Sequence, residues 1–193
     1  MSNRRRPRPN PVLGALAGAI AGVAGSWAMV CFNHLLAPDT GTSDKPDDPH
    51  AHRRVDARPN DTDGSIPDEP GSIQLAEAIA EPALGRQLTE REKDLGGSLV
   101  HYAFGATVGA LYGAAAEIDR STTRAAGIPY GIGIWLFADE IGMHAAGFAS
   151  HPADYPASRH AAALASHIVF GLSVETVRRL LRGMPAPRPS DRR

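Results

Sequence analysis

The sequence has a single cysteine, Cys31, among 193 residues, which excludes an internal disulfide framework and any cysteine-based zinc site. It has no charge excess: 20 Lys and Arg against 21 Asp and Glu leave a formal net charge of -1, which argues against a nucleic-acid-binding surface. The His-Glu-x-x-His zinc pattern is absent. Asn60-Asp61-Thr62-Asp63-Gly64 has the flavour of a calcium loop, but Pro59 and Pro70 would occupy its first and last ligand positions. No serine, and not Cys31, stands in an identifiable arrangement with a base and its orienting group, so nucleophilic catalysis has no support. The chain is expected to be non-enzymatic.

The averages, 42% hydrophobic and a mean hydropathy of -0.22, suggest a soluble protein. They mislead, because the polarity is concentrated between Ala37 and Asp94. Crossing the ~30 Å hydrocarbon layer takes about 20 apolar residues as a helix, and four segments approach that. The expected organisation is an all-α, integral membrane four-helix bundle. A basic leader (1–11) precedes the first span (12–36). A long polar, partly disordered loop (37–95) follows, with an amphipathic helix near 73–88. The second span (96–116), a short loop (117–124), the third span (125–149), a second loop (150–158), the fourth span (159–182) and a tail (183–193) complete the chain. The first segment is longer than a signal-peptide core and runs on into Phe32 and Leu35-Leu36, so it is expected to remain as an anchor. Thr89 and Glu92 form a capping-box pattern that lets the second helix begin before Gly96, and Pro82 is expected to break the amphipathic one.

Short loops rich in Lys and Arg stay in the cytoplasm. Arg4, Arg5, Arg6 and Arg8 at one terminus and Arg178, Arg179 and Arg182 near the other put both ends inside, which four crossings satisfy. Arg120 and Arg124 agree, and the loop after the third span has neither Lys nor Arg.

Gly14, Gly18 and Gly22 are four apart, as are Gly105, Gly109 and Gly113. At about 100° per residue each set forms one narrow stripe. In water a mid-helix glycine costs about 1 kcal/mol relative to alanine, whereas in lipid small residues let two backbones approach closely. The stripes therefore point to tight packing, against another helix of the chain or against a second copy in a homo-oligomer.

All eight histidines fall on the outer side of this topology. His101 shares a face with Gly105 and Tyr112. Glu140 and His144 share one with Pro129, Gly133 and Gly147, and His160 and His167 with Gly171. Charged groups facing lipid are costly, so His101, Glu140, His144 and His167 are expected to gather as an intramembrane polar cluster, with Asp139, His160 and Glu175 as secondary members. Three readings stay open. The cluster is structural, or it is a proton or cation pathway, because histidine changes charge near pH 6–7. Otherwise it is a transition-metal site for zinc, iron or nickel, although no tight ligand motif supports a cofactor. Glu175 lies one turn before Arg178 and Arg179, as an intrahelical pair or as a buried relay carboxylate. Asp139 points about 100° away from Glu140, so the two need not share a site.

His101-Tyr102-Ala103-Phe104 leading through Tyr112 to Glu117, Gly147 towards Pro152, and His167 to Glu175 followed by Arg178, Arg179 and Arg182 resemble the YagU-like inner-membrane proteins. These form a domain-of-unknown-function family of small multi-spanning bacterial proteins. The likeness covers roughly the last hundred residues. It implies an inner-membrane location and a four-helix arrangement, with membrane lipid as the surroundings, and it implies no activity.

Overall fold

Apolar segments without breakers form long helices here. In the computed structural model, which describes residues 9–36, 70–148, 153 and 155–183, α1 spans Pro11–Leu36, α2 Gly71–Leu84, α3 Glu90–Ile118, α4 Ile128–Ile134 and α5 Ala157–Arg182. A turn over Arg120–Gly127 precedes α4, and a π-helical segment, Trp135–Met143, continues it. The basic leader, most of the polar loop with its calcium-like stretch, His50, His52, His151 and the tail lie outside the described residues.

The boundaries have local causes. Asn10 caps α1 by accepting the Leu13 N–H at 3.0 Å, with Pro11 as the first helical residue. At the start of α3, Thr89 Oγ1 accepts the Glu92 N–H while Glu92 accepts the Thr89 N–H at 2.9 Å. That reciprocal cap starts the helix at Glu90, well before Gly96. Pro82 sits inside α2 near its end instead of breaking it, and Gly85, at φ 66°, closes the helix. The loop after α3 is shifted from 117–124 to Arg120–Gly127. Ser121 donates its hydroxyl and, at 2.8 Å, its backbone N–H to Asp119, holding that carboxyl below the ordinary range. Ala125, Ala126 and Gly127 all have positive φ, so α4 cannot begin until Ile128.

The third apolar segment is therefore not one long α-helix over 125–149. It starts later, turns π-helical at Trp135, and ends in a Schellman motif. There Phe148 donates to the Met143 carbonyl at 2.9 Å and Gly147, at φ 78°, to that of His144 at 3.0 Å. The other three spans are long and apolar enough to cross a membrane, with mean hydropathies of 1.8 for α1 and 1.2 for α3 and α5.

These three helices form the core, where Ala21 and Met29 of α1, Val108 and Tyr112 of α3, and Phe170 and Val174 of α5 bury one another. α1 runs antiparallel to α3, and the glycine stripes lie face to face. A Cβ at Gly14, Gly18 or Gly22 would overlap the carbonyl oxygen of Gly113, Gly109 or Gly105 respectively. Because the two stripes occupy each other, neither is open to a second copy of the chain. Gly127 and Gly131 make a second such contact with the backbone of Gly171 and His167, fixing α4 against α5. α2 folds back along α3, with Ile73 and Ala76 seated on Gly97 and Gly96. Large apolar side chains such as Ile20, Trp27, Leu99, Leu111 and Leu180 point outwards, as a helix surrounded by lipid requires.

Candidate functional site

The polar side chains divide between the two ends of the bundle. At the end carrying Asn10 and Arg182, two buried carboxylates are fully engaged. Glu175 receives Arg178 through Nε at 2.7 Å and Nη2 at 3.1 Å, Arg179 through its Nε, and the Tyr112 hydroxyl at 3.0 Å. Glu117 receives Arg182 at 2.9 and 3.1 Å and the Asn10 backbone N–H at 2.9 Å. Glu175 and Arg178 are 1% and 2% exposed, so removing either leaves a buried charge unpaired. Glu175 thus forms the intrahelical pair, extended by Tyr112 of α3, and it lies far from the histidines. Glu117 is the residue that reading by charge alone passes over. It continues the α3 stripe at the next four-residue step after Gly105, Gly109 and Gly113, and that step was the available signal.

The opposite end is open. A cavity of about 390 Å³ lies between α3, the π-helical segment and α5, with the start of α2 over it. Its polar lining is His101, Asp139, Glu140, Arg159 and His160. A second cavity of about 250 Å³, towards α1, is lined by Met29, Asn33, Asp139, Arg159, Ser166 and His167. Asp139, Arg159 and Ala163 belong to both.

Within this crevice Glu140 meets His160 Nδ1 at 2.6 Å. Asp139 Oδ2 faces His167 Nε2 at 3.6 Å. The other nitrogen of His167, Nδ1, donates to the Ala163 carbonyl at 2.9 Å, which leaves Nε2 facing Asp139. His101 Nε2 lies at a long 3.5 Å from the Ser26 carbonyl, and Ser166 donates to Asn33.

The expected grouping changes accordingly. His101 and Glu140 line the first cavity and His167 the second. His144 is exposed and lines neither, and His160 takes the place beside Glu140. Asp139 lies at the centre instead of pointing elsewhere. One cause explains both shifts: in a π-helix the backbone bonds run to the fifth residue, so side chains four apart no longer stack and a 100° wheel loses its phase. In α4, Gly131 makes the contact with α5 while Gly133, about 200° away on the helix, faces open space. Among the described residues no three His, Cys, Asp or Glu side chains come together in a way that could hold a metal ion.

No curated protein and no solved structure matches the chain. One family does, DUF1440, described as a protein of unknown function, over residues 74–176. That match runs from α2 into α5 and includes His101–Glu117, Gly147–Pro152 and His167–Glu175, stretches that carry the YagU-like resemblance. With just over half of its length matched, and with three helices fit to cross a membrane, the chain belongs to the DUF1440 family.

Proposed function

We propose that this is a non-enzymatic inner-membrane protein with four crossings and both termini in the cytoplasm, whose outer crevice takes up and releases protons in step with small cations. α4 and the π-helical segment would make the remaining crossing. The clustering of Arg120, Arg124, Arg178, Arg179 and Arg182 at one end of the bundle supports the orientation.

One observation carries the functional reading. Asp139, shared by two adjoining cavities, faces Nε2 of His167. With its other nitrogen committed to a carbonyl, a neutral His167 turns a lone pair towards the carboxylate, which is repulsive. A proton between the two removes the repulsion, so the pair has a site for one proton that a cation at Asp139 would displace. His101 and the Glu140–His160 pair lie along the same crevice. The surrounding lipid makes an uncompensated charge costly, which couples proton to cation.

The test is flux in liposomes. The purified protein is expected to give a cation flux that depends on external pH between about 5.5 and 7.5, the range around the histidine pKa. His167→Ala should flatten the pH dependence, and His101→Ala should weaken it. A flux independent of pH, or none with any small monovalent or divalent cation, overturns the reading.

A further inference from the structure

Asp139 and Arg159 are opposite charges that line the same two cavities and stay unmatched. Among the described residues Asp139 accepts no hydrogen bond, and His167 at 3.6 Å is its one cationic neighbour within salt-bridge reach. Arg159 rests over the Tyr155 ring, its guanidinium carbon 4.2 Å from the centroid, with no carboxylate of the described residues paired to it. The neighbouring groups are engaged: Glu140 with His160, His101 near the Ser26 carbonyl, Ser166 with Asn33. At the other end of the bundle the buried Glu and Arg side chains are paired among themselves. An anion and a cation left over on one cavity wall fit a ligand that carries both.

The wall between them is apolar, with Leu75, Val100, Phe104 and Met143. The volume of about 390 Å³ lies in the range of small-molecule pockets. Arg159 is in the first turn of α5, and Pro70, Gly71 and Ser72 at the start of α2 form part of the lining, so the cavity opens where a spanning helix reaches the lipid headgroups. A guanidinium is well matched to phosphate oxygens, and a carboxylate to an ammonium.

We infer that this cavity binds a phosphoethanolamine-type zwitterion, with the ammonium on Asp139 and the phosphate on Arg159. The inference rests on the crevice of the proposed function and adds a ligand to it. The same chemistry reaches the site from two sources, the headgroup of phosphatidylethanolamine or free phosphoethanolamine.

Native mass spectrometry of the full-length protein in detergent separates these outcomes. The probes are phosphatidylethanolamine, phosphatidylglycerol, which keeps the phosphate and lacks the ammonium, and free phosphoethanolamine. Phosphatidylethanolamine is expected to bind roughly tenfold more tightly than phosphatidylglycerol, the effect of one charge-assisted contact. Asp139→Asn should abolish that preference and Arg159→Gln should weaken binding of both lipids alike, neither lowering the unfolding temperature measured alongside. If free phosphoethanolamine also binds, the headgroup alone is the ligand; if only the lipid binds, the acyl chains take part. Equal binding of the two lipids, a preference that survives Asp139→Asn, or unchanged binding of both lipids to Arg159→Gln overturns the inference. pH-dependent flux persisting beside equal lipid binding would remove the zwitterion and leave the proton-linked reading intact.

Discussion

The arginine end and the histidine end of this bundle are built from similar numbers of charged side chains and treat them in opposite ways. At the arginine end, Glu117 and Glu175 are buried, each held by two or more donors from different helices. At the histidine end Asp139 and His167 stand 3.6 Å apart, two cavities adjoin, and the helix beside them is π-helical. Just before this crevice the Trp135 indole N–H is buried with no partner among the described residues. Saturated polar groups fix helices in place, and partly saturated ones leave room for an incoming charge. Rigidity at one end lets the other stay open.

Five substitutions test this contrast, in order of decreasing effect. Gly18→Leu drives a side chain into the Gly109 backbone, and backbone cannot give way as a side chain tip can. Essentially no folded protein should be recovered on size exclusion, and normal recovery would mean that the stripes do not hold α1 to α3. Glu175→Gln leaves Arg178 buried without its counter-charge, a loss of about 3–5 kcal/mol, read from unfolding in detergent with increasing denaturant. At the open end Glu140→Gln removes one partly exposed charge-assisted contact to His160, and about 1–2 kcal/mol is expected by the same measurement. A cost equal to that of Glu175→Gln would erase the distinction between the ends. The smallest effect separates two neighbouring glycines. Gly133→Ala meets nothing within 4 Å and should stabilise by up to about 1 kcal/mol through helix propensity. Gly131→Ala collides with the His167 carbonyl and should destabilise. Equal thermal shifts for the two would show that Gly131 does not hold α4 against α5.

Much of the fold was legible because membranes impose a simple rule of length and apolarity. α1, α3 and α5 follow from it, the Thr89 cap from the capping-box pattern, and the tight packing of the glycine stripes from their four-residue spacing. The family likeness was legible too, in the residues between His101 and Glu175. Legibility failed at one place. Nothing in Trp135-Leu136-Phe137-Ala138-Asp139-Glu140 marks a π-helix, so the wheel misplaced Asp139 and His144 together. The Gly127–Gly171 contact was hidden for a related reason, since it depends on three consecutive positive φ angles in a turn of unremarkable composition.

The sequence alone determined that this chain is helical and that three of its segments, α1, α3 and α5, are fit to cross a membrane. Those properties depend on local composition and on a fixed residue count per crossing. Only the tertiary structure decided that the glycine stripes satisfy each other within one chain, that Glu117 joins three helices, and that Asp139 stands between two cavities. These are relations between distant segments, set by how closely backbones approach and by a change of helical pitch.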